Sequence, residues 1–148
     1  MDEVDLDKKL WTVSAARMKT NKEHIVPLSD AALAILKRQA TVRTGDYLFP
    51  GRGAGKPSYV NFATGPKTAG FDAGAPHSWR SIFRDAAEDK CGVRRETAEA
   101  CLAHSLGAVE GAYRRETGVE TRRGAMTAYA AWLMDEGKGN VVAFPARA

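Results

Sequence analysis

The spacing of apolar residues predicts a strand pair and a helix in the first third of the chain. Residues 8–13 and 24–28 are short runs rich in strand-forming side chains, and they favour an antiparallel hairpin. Pro27 suits an edge position in that pair, because proline has no backbone N–H to donate. Ser29 is a suitable N-cap for a helix predicted over residues 29–39. The chain is therefore expected to begin with a small sheet that leads into a helix.

Helical periodicity dominates the second half of the chain. The first apolar stripe has the i, i+3, i+4, i+7, i+8 spacing of one helix face and consists of Trp79, Ile82, Phe83, Ala86 and Ala87. Gly92 is a natural end for that helix. Residues 95–103 predict a second helix, whose inward residues are Ala98, Cys101 and Leu102. A third is predicted over 108–115. The last amphipathic helix is marked by Met126, Tyr129, Ala130, Leu133 and Met134.

These elements predict one α+β domain that is mainly helical, with a small antiparallel hairpin at its start. The length of 148 residues, with a mass of 16.0 kDa, leaves room for one domain. Its expected parts are a β-hairpin at 8–28, a helix at 29–39, a basic loop region at 40–76, helices over 77–136 and a tail at 137–148. The tail contains a strand-like run at 141–144.

Composition narrows the class of protein. Hydrophobic residues make up 44% and charged residues 27%, as in soluble globular proteins. No apolar run approaches the ~20 residues of a membrane span, and the acidic N-terminus lacks the core of a secretory signal. Cys91 and Cys101 do not form a disulfide framework or a CxxC metal site, which favours reduced thiols in the cytoplasm. The net charge of +4 comes from residues 31–76, and it favours a nucleic-acid partner.

Two other motifs have weaker claims to chemistry. The segment 51–57 resembles a phosphate-binding loop, but that pattern needs glycine where Pro50 stands and Ser or Thr where Pro57 stands. Glu88 and Lys90 form an acid-x-Lys pair of the kind used by metal-dependent nucleases. Because that pair lies in a helical pattern, a solvated helix face explains it more simply, and a nuclease is kept as an alternative.

A more specific constellation lies in the second half of the chain. His77 and Arg80 stand at i and i+3 at a helix start, so their side chains are neighbours. His104 ends the next helix, and Tyr113 follows nine positions later. Lys19 lies in the basic link between the two predicted strands. Taken singly, these residues fit a helix cap, a surface cation or half-buried packing.

Together they resemble the catalytic domain of the tyrosine recombinases, the phage-integrase family, and in particular prophage-type integrases. The segments that carry the resemblance are 10–11, 17–19, 24–29, 77–85, 102–105, 112–115 and 122–132. The combination of HxxR, LxHS and a tyrosine nine residues on is specific, although no single piece is. The resemblance implies the recombinase catalytic fold, incomplete at its N-terminus.

The resemblance also implies roles for individual residues. Tyr113 would attack a DNA phosphodiester to form a 3′-phosphotyrosyl link and release a 5′-hydroxyl. Arg80 would hold the phosphate, His77 and His104 would contact it or handle protons, and Lys19 would protonate the leaving oxygen. Further candidate DNA contacts are Arg17, Lys22, Arg84, Arg114 and Arg115. No metal and no other cofactor is expected, because Arg, His and Lys supply the positive charge that the phosphate needs.

The chain departs from the family in one respect that affects its expected activity. The family has another essential arginine in an upstream helix, and a DNA-clamping domain before it, and neither can be assigned in this sequence. The chain is therefore expected to be a fragment, impaired on its own because one lost donor costs about 10²–10³ in rate. The alternative is a remnant that binds DNA or an integrase without cutting.

The partners implied by the family follow from the same resemblance. They are double-stranded DNA at an attachment site and further copies of the chain, since the family forms tetramers on DNA. No membrane partner is expected, and the expected location is the cytoplasm.

Overall fold

The computed structural model of the protein describes residues 3–43, 48–49, 76–104 and 118–139, including side chains except at 76–77 and 136–139. The strands in this part are β1 (Val4–Asp5), β2 (Leu10–Val13) and β3 (His24–Pro27). The helices are α1 (Asp30–Val42), α2 (Pro76–Asp89), α3 (Arg95–Cys101) and α4 (Val119–Gly139). The described part is thus mainly helical with one small antiparallel sheet, as the α+β prediction states. The predicted helix at 108–115 and the strand-like run at 141–144 lie outside the described residues.

The sheet is antiparallel, in the order β1-β2-β3. Strand β2 pairs with β3 so that Leu10 lies opposite Pro27 and Val13 lies opposite His24. The edge position predicted for Pro27 is confirmed, because β3 is an outer strand of the sheet. The sequence pattern does not predict β1, since this two-residue strand lies in an acidic segment and depends on its pairing with β2.

A capped helix follows the sheet. Ser29 caps α1 by accepting a hydrogen bond at Oγ from the backbone N–H of Ala32, at 3.3 Å. The helix predicted over 29–39 continues to Val42, so the loop region predicted from residue 40 begins later than expected. The physical reason is that the first helix-breaking residue after the predicted end is Gly45.

The core described by the structure lies between α2, α3 and α4. Phe83, Ala87 and Ala98 are buried at its centre. Partly buried residues that pack around them are Val93, Cys101, Leu102, Met126 and Tyr129. The rings of Phe83 and Tyr129 meet edge to face, with centroids 4.8 Å apart and an interplanar angle of 71°. Because the alanine side chains are small, the helices can approach one another closely at this point.

The apolar stripe predicted on α2 is divided in the structure. Phe83 and Ala87 are buried, whereas Trp79 is 51% exposed and Ile82 is 48% exposed. The physical reason is that α3 has only 7 residues and contacts α2 on the side of Ala87. Periodicity identified the helix but not the width of its buried face.

The inward face of α4 also differs from the prediction. Two of the five residues that marked the predicted face, Met126 and Tyr129, pack on the core, whereas Leu133 and Met134 are exposed. The buried residues of the helix are Arg122 and Ala125. The helix continues to Gly139, past the tail predicted from 137. Among the helices in the described ranges, none is long and apolar enough to cross a membrane.

Two arginines attach α4 to the sheet. Arg122 donates from Nη1 to the carbonyl of Ile25 at 2.6 Å, and Arg123 donates from Nη1 to the carbonyl of Lys9 at 3.4 Å. The Lys9 carbonyl also accepts from the backbone N–H of Leu28 at 2.9 Å. The Arg122 bond holds the start of β3 against α4, and the Arg123 bond holds the other end of the strand pair, where Lys9 precedes β2.

Replacing Phe83 with alanine is expected to destabilise the chain by about 3 kcal/mol or more, because it removes the ring at the centre of the three helices. Urea unfolding followed by circular dichroism measures this loss. Ile82→Ala is the matched control on the same helix, and its exposed side chain predicts a change below about 1 kcal/mol. Equal losses in the two variants would contradict the assignment of the core.

Candidate functional site

The site is built where α2 meets the C-terminal end of α3. Arg80, on the first half of α2, donates from Nη2 to the carbonyl of Leu102 and to Nε2 of His104, the second contact at 3.0 Å. Arg80 and His104 are 24 residues apart in the chain. The structure thus joins two of the sequence-predicted residues in one cluster.

A tight turn after α3 places His104 in this cluster. The His104 N–H donates to the carbonyl of Glu99 at 3.0 Å, and the Ala103 N–H donates to that of Ala100 at 3.2 Å. The backbone angle φ of Ala103 is 58°, in the left-handed region. These are the two bonds and the conformation of a Schellman turn, which reverses the chain at a helix end. Glycine is the usual residue at that position, so the sequence alone did not indicate the turn.

Glu99 is the site residue that sequence reasoning missed. Its carboxylate accepts a hydrogen bond from Nδ1 of His104. The Glu99 side chain is only 13% exposed, whereas that of His104 is 45% exposed. An available sequence indication was its position five residues before His104, on the last turns of the predicted helix. A Glu99–His104–Arg80 chain of polar contacts results.

His24 lies beside this cluster at the start of β3. Burial is the main cause that lowers the pKa of His24, and the charges of Arg122 and Arg80 lower it further. A ring N–H of His24 donates to the carbonyl of Cys101. Burial also raises the pKa of the Cys101 thiol to about 11, so that thiol is protonated and unreactive at neutral pH.

The basic link between β2 and β3 leads directly to His24. It begins with the short turn Ala15–Arg17 and contains Lys19 and Lys22, both exposed. Arg17 donates to the Glu3 carboxylate, and this bond is the main cause that lowers the pKa of Glu3. Lys19 lies on this exposed link, five residues before His24. The pKa of His24 is in turn lowered by the charge of Arg80.

Of the other predicted site residues, the structure describes the side chain of Arg84. Arg84 donates from Nε and Nη2 to Oδ1 of Asp85, at 3.0 and 2.9 Å, and its Nη1 lies 3.9 Å from Oε1 of Glu99. His77 belongs to α2, but its side chain lies outside the described residues. Tyr113, Arg114 and Arg115 also lie outside them.

The geometry of the cluster suits an anion. A guanidinium carries five N–H donors and no acceptor, and its planar fork matches two oxygens of a phosphate or carboxylate. Arg80 uses Nη2 for both of its contacts to α3. An arginine next to an imidazole at a helix end can bind a phosphate group and polarise it.

Comparisons with known proteins give the following matches. The model of the phage integrase family matches residues 1–117. The chain is 37% identical over 150 residues to Prophage integrase IntA of Escherichia coli (strain K12), covering 95% of this chain and 35% of that protein. It is 31% identical over 142 residues to Prophage integrase IntZ of the same strain, covering 86% and 32%. The chain thus spans about a third of the length of the curated relatives it matches. No solved structure matches.

Replacing Ala103 with glycine is expected to stabilise the chain by about 0.5–1 kcal/mol, because glycine adopts the left-handed conformation without strain. Chemical denaturation measures the change. Ala100→Gly is the control inside α3 and should cost about 1 kcal/mol. A loss of stability in Ala103→Gly would show that the Schellman turn is wrongly assigned.

The stability of the chain is expected to fall as the pH drops through about 6.5, because the unfolded state binds a proton that folded His24 resists. The contribution of neutral His24 to the unfolding free energy is complete above the pKa of the unfolded state. It is lost as the pH falls from that value through the lower pKa of the folded state. His24→Gln should flatten the change in unfolding free energy between about pH 5.5 and 7.5. Urea titrations at the two pH values test this. The pKa values of Glu3 and Asp5 are lowered in the folded chain, so these two carboxyls affect stability only around and below their ordinary pKa values of 4.5 and 3.8. An equal pH slope in the variant would contradict this role.

Proposed function

Since this chain belongs to the phage integrase family, we propose that it is the catalytic segment of a site-specific DNA recombinase that uses a tyrosine nucleophile. The observation that carries the proposal is the contact between Arg80 and His104. It joins the two family motifs that surround a phosphate in this chemistry. The partners that we propose are double-stranded DNA and further copies of the chain, acting in the cytoplasm.

In this proposal, the Arg80–His104 cluster holds the phosphodiester that is cut. Arg80 gives N–H donors to the equatorial oxygens, where negative charge accumulates in the transition state. His104, with His77 from the same helix as Arg80, contacts the phosphate or handles protons. Since these donors are fixed by α2 and the end of α3, they need little rearrangement when the transition state forms.

Tyr113 and Lys19 carry the bond changes. The phenol of Tyr113 gives its proton to one of the proton-handling histidines, His77 or His104, and its oxygen bonds to phosphorus. The bond from phosphorus to the 5′-oxygen breaks. Lys19 gives a proton to that leaving oxygen. A phenol has a pKa of about 10, so cationic neighbours are needed to make it a nucleophile at neutral pH. The covalent link retains the energy of the phosphodiester, which allows the strand to be rejoined.

The remaining basic residues are proposed as DNA contacts. Lys22, Arg114 and Arg115 belong to this set, as do Arg17 and Arg84, which pair with carboxylates in the DNA-free chain. Exposed ion pairs contribute about 0–1 kcal/mol, so exchanging a carboxylate for a DNA phosphate costs little. Each such contact also releases counterions and adds to the salt dependence of binding.

A second candidate is a DNA-binding or integrase-interacting remnant without cutting activity. The observation in its favour is that the Arg80–His104 contact can bind a phosphate without cutting it. The upstream arginine that the family uses cannot be assigned to a residue here. DNA binding without covalent capture would favour this candidate.

Tyr113→Phe is expected to abolish covalent capture of DNA, because the variant lacks the attacking oxygen. The full chain is incubated with a pool of nicked duplexes that carry a randomised central segment, and protein–DNA adducts are separated on denaturing gels. The wild type should form an adduct linked through a 3′-phosphate, with a free 5′-hydroxyl. Arg80→Ala should slow adduct formation by about 10²–10³.

Tyr129→Phe is the matched control for this experiment. It removes the same hydroxyl from a tyrosine that packs against Phe83 in the core, and adduct formation should persist. An adduct that survives Tyr113→Phe would overturn the assignment of the nucleophile. Cleavage that stops on addition of EDTA would instead favour the metal-dependent nuclease with Glu88 and Lys90.

A further inference from the structure

The Glu99 carboxylate is held close to His104 by local backbone geometry. Glu99 lies in the last turns of α3, and its carbonyl accepts from the His104 N–H at 3.0 Å in the Schellman turn. Its side chain then reaches the ring of the same residue at Nδ1. Backbone and side chain of one residue thus fix both the position and the orientation of the imidazole.

The partners of the two ring nitrogens determine where the ring proton lies. Arg80 has donors only, so Nε2 of His104 must accept the bond from Nη2 at 3.0 Å. An accepting Nε2 has no proton in a neutral imidazole, which leaves the proton on Nδ1. Nδ1–H then donates to the Glu99 carboxylate, in agreement with the observed contact.

We propose that Glu99 is the positioning residue that holds His104 in the Nδ1–H tautomer, with Nε2 directed to the side where Arg80 lies. The inference rests on the proposed function, since that is the side at which the phosphate would bind. A carboxylate on one ring nitrogen prevents the imidazole from turning over, so the other nitrogen meets the ligand in one orientation.

Arg84 supports this arrangement from α2. Its Nη1 lies 3.9 Å from Oε1 of Glu99, while the His104 ring takes Oε2. The two carboxylate oxygens therefore face different partners, which limits rotation of the Glu99 side chain. The low exposure of Glu99 relative to His104 is consistent with a supporting rather than a ligand-contacting residue.

The tautomer of His104 can be measured directly in the full chain. The sequence contains 3 histidines, so ¹⁵N NMR of the imidazole side chains is simple to assign with His104→Gln. At a pH above the ordinary range of histidine titration, His104 should show a protonated, pyrrole-type Nδ1 and an unprotonated, pyridine-type Nε2. A wild-type ring with its proton mainly on Nε2 would overturn the inference, whether or not any variant folds.

Variants of Glu99 test whether its side chain causes the preference. Glu99→Ala should lose the Nδ1–H preference, and Glu99→Gln should retain it, because the amide oxygen still accepts from Nδ1–H. Glu96→Ala is the matched control, one turn earlier on α3, and should behave as the wild type. Circular dichroism checks that each variant is folded. Persistence of the preference in Glu99→Ala, or its loss in Glu96→Ala as well, would contradict the role of Glu99.

Adduct formation separates this inference from the proposed function. Glu99→Ala should form the covalent adduct about 10- to 100-fold more slowly than the wild type, as loss of an orienting partner does in other histidine sites. Glu99→Gln should recover most of the rate. An unchanged rate in Glu99→Ala would overturn the inference and leave the function intact. If the wild type forms no adduct, the proposed function fails, and the NMR result still decides the tautomer.

Discussion

The packing of Ala98 against Phe83 and Ala87 is the contact on which the geometry of the site depends. Arg80 lies one turn before Phe83 on α2, and Leu102 lies just past the end of α3, one turn after Ala98. The reach of Arg80 to the Leu102 carbonyl is therefore set by how closely the two helices approach. Larger side chains at the alanine positions would push the helices apart and separate the donor from its acceptors, since interiors are packed with few voids.

The end of α3 adds a second, local constraint. The Schellman turn presents the Leu102 carbonyl and the His104 ring in the same direction, and both accept from Nη2 of Arg80. A single guanidinium thus contacts the backbone and the side chain of one turn. The left-handed Ala103 makes this reversal possible at some cost in strain, which is a common property of functional turns.

Several basic side chains hold the molecule together internally. Arg122 bonds to the Ile25 carbonyl, Arg80 to the Leu102 carbonyl and Arg17 to the Glu3 carboxylate. These cations lie outside residues 31–76 and connect the sheet, the helices and the basic link. A count of basic residues therefore overstates how much positive charge faces a ligand in the DNA-free chain. The same connections bring His24 next to Cys101, beside the site.

The sequence by itself determined most of the strands and helices in the described part of the chain, though not β1, because spacing of apolar residues reflects local geometry. It also determined the family, because HxxR, LxHS and the tyrosine occur together. It placed Arg80 and His104 on separate helices without showing that they touch. It predicted a longer buried stripe, including Trp79, than the structure has.

Only the tertiary structure decided the contact between Arg80 and His104, the hydrogen bond between Glu99 and His104, and the burial of His24. Each depends on how segments distant in the chain approach one another, or on a turn in which alanine takes the conformation that glycine usually adopts. The periodicity of apolar residues describes one helix or strand at a time. It does not show how many of those residues become buried when two such elements pack together. The identity of the chemical groups was therefore readable from the chain, whereas their arrangement depended on helix packing and on the turn after α3.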